Sequence, residues 1–187
     1  MKSFKLKKLK RSYLLGEHVW PNKKLTAKQA AKIVNKSSRS MSDFGRNLMN
    51  YRKYTNVYGS LSKSYMTRMD VRANCFPGQK HLNLLYMLES RLDVCLYRAG
   101  FGSSLDEIRQ VVSHKHVYVN NKYAKCSSQE LNPGDIVQIQ KSNLNVPNWV
   151  NYYPNYPMNI EVDYANLSLV YLYPPQKVYL PINPTEF

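Results

Sequence analysis

Acidic residues are scarce in this chain: 12 Asp and Glu stand against 27 Lys and Arg over 187 residues, a formal charge of +15. Self-repulsion of that size opposes a compact fold unless a polyanion neutralises it, so nucleic acid is the first partner to consider and an anionic membrane surface the second. No run of about 18 apolar residues exists, which argues against a membrane span. The opening MKSFKLKKLK lacks the apolar stretch that follows the charged start of a signal peptide. It reads as a basic arm, with an organelle-targeting segment as the alternative, since Trp20 and Pro21 soon interrupt any helix. Cysteine is equally sparse. Cys75, Cys95 and Cys126 are odd in number and carry no CxxC or paired-histidine spacing, which argues against a disulfide framework or a zinc site and suits a reducing compartment. Also missing are a glycine-rich phosphate loop, a nucleophile beside a base and an HExxH pattern, so we expect no catalytic residue, no metal and no cofactor.

What the chain does have is charge concentrated at one end. Residues 1–80 hold 19 basic residues against Glu17, Asp43 and Asp70, a net of +16. Residues 81–141 are nearly neutral, and residues 142–187 hold only Lys177 against Glu161, Asp163 and Glu186. The electrostatic footprint on a polyanion is therefore expected mainly within the stretch 1–80. Tyrosine, at 16, is abundant, as are Asn and Lys. Two readings stand level: an AT-rich genome, as in many organelles, or side chains kept for RNA contact.

Local signals place the elements. Ser42-Asp43 caps a helix through Phe44, Leu48 and Tyr51, with Gly45 weakening its first turn and Tyr58-Gly59 ending it. A second helix starts near Leu61, carries Lys63, Tyr65, Arg68 and Arg72, and stops before Pro77-Gly78. Basic residues interleaved with tyrosines suit RNA, because cations meet phosphates while flat rings stack on unpaired bases. Leu88, Leu92, Cys95, Leu96 and Ala99 recur at helical spacing up to Gly100. Ser104-Leu105-Asp106-Glu107 is a capping box before the apolar stripe Leu105, Ile108, Val111 and Val112. The period then changes to alternation at His116–Val119. Asn120-Asn121-Lys122 suits a tight turn, Asn132-Pro133-Gly134-Asp135 a second, and Ile136–Ile139 alternates again. Two short helices and a small sheet thus make a compact module.

Residues 89–139 resemble the RNA-binding module named after small-subunit ribosomal protein four. The resemblance is carried by Arg91-Leu92-Asp93, Arg109-Gln110, Val112-Ser113-His114, His116, Val119-Asn120 and Pro133-Gly134-Asp135. The flanks, 42–69 and IEVDYANLSLVYLYPP at 160–175, resemble the ribosomal protein family itself, the latter as a closing strand and tail. The chain departs from that family in lacking an N-terminal Arg-Tyr motif and zinc cysteines, in Asn121 where Gly is usual, and in an apparent insertion at 145–156. The divergent start, the insertion and the Asn, Tyr and Lys bias together resemble mitochondrial versions more than plastid or bacterial ones.

The resemblance implies an α+β fold in which a basic arm and helical region (1–80) is completed by an insertion and tail (142–187) packing on it, with the module (81–141) inserted between. It implies a non-enzymatic constituent of the small subunit that binds its rRNA directly during assembly, with no membrane. Its neighbours would include small-subunit protein five, with mRNA nearby at the entry and decoding region, in the mitochondrial matrix or, alternatively, a plastid or bacterial cytoplasm. Phosphate contact falls to Lys5, Lys7, Lys8, Lys10 and Arg11 in the arm and to Lys63, Arg68 and Arg72 in the helix. In the module Arg98, Arg109, His114, Lys115, His116 and Lys122 would face the RNA. Arg91 is a further candidate, although pairing with Asp93 to orient the first helix is the stronger reading. His114 and His116, two residues apart with no third ligand, do not make a metal site. Two rivals use the same module: a pseudouridine synthase, which needs a catalytic domain and an essential aspartate, and a free RNA chaperone. The stretch after the module, 140–187, has Asp163 as its sole aspartate and is too little chain for the former.

Overall fold

The computed structural model describes residues 8–18, 25–34, 42–140, 158–175, 178 and 180, and the chain divides into two compact units, 1–62 with 180–187 and 63–179. The boundary therefore falls at the start of the second basic helix and not at residue 80.

In the first unit α1 (Lys8–Leu15), α2 (Ala27–Val34) and α3 (Asp43–Val57) are helical. Ser42 caps α3 by accepting from the Gly45 amide at 3.3 Å, and Tyr58 closes it, as the sequence suggested. The expectation of an arm fails from Lys8 onward. Ser12 and Leu15 are buried, and Arg11 donates to Asn56 at 3.4 Å and to Ser60, which fastens α1 to the end of α3. Lys53 reaches Glu17 at 2.6 Å. Leu15 packs with Met49, Val57 and, from the other end of the chain, Leu180.

The second unit contains α4 (Lys63–Asn74), α5 (Lys80–Glu89), α6 (Leu92–Arg98) and α7 (Leu105–Ser113), followed by β1 (Val117–Val119), β2 (Lys122–Tyr123), β3 (Ile136–Ile139), β4 (Ile160–Asp163) and β5 (Ser168–Tyr171). Asn83 on α5 donates to the carbonyls of Ala73, Phe76 and Pro77, satisfying the C-terminal end of α4 that Pro77 prevents from continuing. The stripe from Leu88 to Ala99 is not one helix. Arg91 takes an extended conformation between α5 and α6, where the Ser90 carbonyl accepts from Leu131 and the Leu92 amide donates to Gln129. The segment 127–131, distant in sequence, supplies the bonds that the helix gives up.

At α7 the Ser104 hydroxyl accepts from the Glu107 amide, but Glu107 reaches back to Ser103, whose amide and hydroxyl lie 2.7 and 2.6 Å away, instead of to Ser104. Asn120 and Asn121, both left-handed with positive φ, make the two-residue hairpin between β1 and β2. The twist of such a turn matches that of the strands it joins. In the second turn Pro133 precedes Gly134 at φ 92°, the left-handed position that a type II turn requires. The two turns are laced together: Asn120 donates to Asp135 at 2.8 Å and accepts from the Ile136 amide at 3.0 Å.

The sheet is antiparallel throughout, in the order β2-β1-β3-β5-β4. Residues 160–175, expected to be a closing strand packing on the first region, form a hairpin that joins this sheet. Without β5, strand β3 would present unpaired backbone groups, and Ile160, Leu169 and Tyr171 would lose the core they share with Leu92, Leu96, Phe101, Val117 and Val137. Tyr164 seals the contact, its hydroxyl donating to the Ala99 carbonyl at 2.9 Å and its ring 5.8 Å from Phe101. Cys95 is fully buried in this core, and burial pushes its thiol well above the ordinary value. Gly102 allows α7 to approach: a Cβ there would meet Ile108 Cγ1 at 2.7 Å. Gly102→Ala is expected to lower stability by about 1–3 kcal/mol through overpacking, read as a lower midpoint in chemical denaturation.

Candidate nucleic-acid interface

The arginines of the module face inward. Asp93, completely buried at the start of α6, accepts from Arg91 Nε at 2.9 Å, Arg91 Nη2 at 2.8 Å and Arg109 Nε at 2.7 Å. Burial works against the Arg91 charge, and the bonds to Asp93 outweigh it, so its pKa is raised. The Tyr65 ring of α4 covers the guanidinium with its centroid 4.8 Å away, a cation–π contact. Arg98 grips the buried Glu89 with two nitrogens, at 3.1 and 2.7 Å, and Arg72 does the same to Glu130 at 2.6 and 3.1 Å.

Arg91 is therefore no surface contact: at 2 % exposure it is part of the frame, as the alternative reading of Arg91 and Asp93 had it. Arg98 and Arg109 are largely covered and held by carboxylates, and the half-exposed Arg72 is neutralised by Glu130. The planar fork of arginine suits such two-oxygen grips, and lysine does not share it.

The other candidates lie on the surface in two groups. Along α4, Lys63, Ser64, Thr67, Arg68, Val71 and Arg72 line one open groove, the face defined by steps of one and four residues. Helical spacing makes Thr67 and Val71 part of that face, a signal that attention to charge alone passes over. The second group is the turn after α7. His114 closes the helix, Lys115 at φ 60° follows, and the amides of Lys115 and His116 donate to the carbonyls of Val112 and Val111. This is a Schellman closure, which ordinarily has glycine at the left-handed position. Here an exposed lysine occupies it, flanked in sequence by His114 and His116, whose rings stack 6.1 Å apart. His116 is further tied to Gln140 at 3.2 Å. Lys122 is exposed on the hairpin. In the first unit Lys10 is exposed and Arg11 is tied to α3, while Lys8 opens α1; Lys5, Lys7 and most of 142–158 lie outside the described residues. Among the described residues no group of three or more His, Cys, Asp or Glu side chains could hold a metal ion.

Removing the shared carboxylate tests the frame. Asp93→Ala leaves two guanidinium groups, one buried, without their counter-charge and is expected to cost about 3–5 kcal/mol in stability. Combining it with Arg91→Met should recover part of that loss in thermal denaturation, because the stranded charge goes too.

Residues 90–137 match the S4 domain family. The small ribosomal subunit protein uS4m of Marchantia polymorpha is 34% identical over 179 residues, covering 88% of this chain and 89% of that protein. The protein of the same name from Reclinomonas americana is 34% identical over 150 residues, 74% of this chain and 60% of the relative. The bacterial uS4 of Novosphingobium aromaticivorans is 32% identical over 145 residues, 75% of this chain and 71% of the relative. All three are named as components of a particle, not as enzymes. Likeness on this scale extends beyond the S4 domain into both flanks, and the chain belongs to the small ribosomal subunit protein uS4 family.

Proposed function

We propose that this structural member of the small subunit works in a mitochondrial ribosome, where it binds small-subunit rRNA directly and gathers it during assembly. Its place is near the mRNA entry and decoding region, beside small-subunit protein five. The observation that carries direct RNA binding is the exposed basic face of α4, with Lys63 and Arg68 on one open groove, in a chain whose surplus charge lies before residue 81. Cations spaced along one helix follow a phosphate backbone without needing to read bases. The named mitochondrial relatives and the abundance of Asn, Lys and Tyr support the compartment.

Lys5, Lys7, Lys8, Lys10 and Arg11 add phosphate contacts from the N-terminal end. His114, Lys115, His116 and Lys122 present charge and hydrogen bonds from the module, while Arg72, Arg91, Arg98 and Arg109 hold the module in shape. A pseudouridine synthase is disfavoured by the match along most of the chain to a ribosomal protein.

The tagged chain is expected to co-sediment with small ribosomal subunits from mitochondria at high salt; recovery free of subunits, or with those of another compartment, counts against the reading. Replacing Lys63 and Arg68 by Ala should weaken rRNA binding and lower the slope of log affinity against log salt by about two, since each lost phosphate contact removes roughly one released counterion. Lys115→Gly separates shape from charge: it relieves a left-handed conformation worth about 1 kcal/mol, so the fold becomes more stable while rRNA affinity falls. Denaturation and binding measured on one preparation check both signs.

A further inference from the structure

The outer face of the sheet, which does not touch the core, carries a feature that helix charge leaves unexplained. Cross-strand register fixes what lies on it. Tyr123 is opposite Tyr118, Tyr118 opposite Gln138, Gln138 opposite Ser168 and Ser168 opposite Asp163, so these five form one row across the five strands. Their neighbours Val117, Val119, Val137, Ile139 and Leu169 belong to the core, and strand alternation therefore leaves the row facing outward. The tyrosine rings lie 4.7 Å apart at 32°, and Tyr123 is 58% exposed. By the same alternation His116 and Gln140, joined at 3.2 Å, stand beside the pair, with the His114 ring next to His116. Lys125 is exposed in the bend two residues past Tyr123. At the far edge β4 carries Glu161 and Asp163, both exposed. One end of the face is thus aromatic, with a lysine close by in sequence, and the other is acidic.

We propose that the β1–β2 end of this face is a stacking site for unpaired RNA nucleotides, with a base on the Tyr118–Tyr123 rings, Gln138 meeting its edge and Lys125 its phosphate. The inference rests on the RNA-binding reading above and adds to it a substrate class, single strands, that the α4 groove does not select. Duplex RNA is excluded on chemical grounds, because its bases are stacked on one another and offer no free face. Charge complementarity sets the occupant and its direction: phosphates are drawn to the lysine end and repelled by Glu161 and Asp163. The Tyr118 phenol is held above its ordinary value, first by its hydrogen bond to Tyr123. A tyrosine pair across a hairpin also stabilises the strands, and the test must separate that role from binding.

Full-length protein is titrated against a labelled single-stranded oligoadenylate, an RNA duplex of equal length and a small-subunit rRNA transcript. The double variant Tyr118→Ala/Tyr123→Ala is expected to bind the single strand about tenfold more weakly with an unchanged salt slope, since stacking releases no counterions. Its duplex affinity should not move, and Tyr118→Phe/Tyr123→Phe, which keeps both rings, should bind as the parent does. Equal single-strand affinity in the alanine variant overturns the proposal, as does equal loss on single strand and duplex. If the alanine variant unfolds, a thiouridine-containing strand is photo-crosslinked to the unaltered protein instead. Adducts at 118–125 support the site, and adducts confined elsewhere overturn it. Failure of the tyrosine variants with rRNA binding intact removes this inference alone; absence of any RNA binding removes the proposed function as well.

Discussion

A carboxylate with no exposure to water sits at the start of α6 and is shared by two arginines from different places in the chain. Asp93 accepts from Arg91, one step before the helix, and from Arg109, in the middle of α7. An unpaired charge in that position would cost several kcal/mol, so the three side chains act as one unit. Through Arg91 the unit reaches the Tyr65 ring on α4, and through the bridge between Arg91 and Glu130 it reaches the segment before β3. Arg72 of α4 grips the same Glu130. The orientation of α4 within its unit, the break between α5 and α6 and the spacing of α6 from α7 all meet at this point.

With those elements fixed from within, other cations are left to the surface. Lys63 and Arg68 along α4, Lys115 beyond α7 and Lys122 on the hairpin are exposed on elements whose positions the internal pairs set. Arginine does the inward work because its five donors in a plane satisfy two carboxylate oxygens at once. The left-handed Lys115 follows the same logic at the level of backbone: a strained residue is tolerated where the Schellman bonds of α7 hold the turn on both sides.

Much of this was legible from local chemistry. The Ser42 and Ser104 caps, the Asn120-Asn121 turn, the Pro133-Gly134 turn and the alternation of β1 and β3 each depend on a few neighbouring residues, and each is found where the sequence placed it. The misreadings share a different cause. The break at Ser90-Arg91 is stabilised by residues near 130, and the tail hairpin is drawn to the sheet by the open edge of β3. Neither leaves a mark in a local period. Charge alone also could not tell an arginine on Asp93 from one facing solvent, although the near-neutral balance of 81–141 was the hint that the cations there were already matched. The tyrosine row was within reach of alternation once a two-residue loop fixed the pairing of Tyr118 with Tyr123.

The hairpin of β4 and β5 has a bearing on how the chain is made. Strand β3 ends at Ile139, and its partner β5 begins only at Ser168, with Tyr171 supplying the last large side chain of this core among the described residues. As translation proceeds from the N-terminus, the helices and the first three strands emerge with one sheet edge open and part of their apolar surface wet. Closure waits for the strands at 160–171. The module is thus sealed only by chain made well after its own helices, and a product broken off shortly past β3 would carry its basic turn and hairpin on an unfinished core.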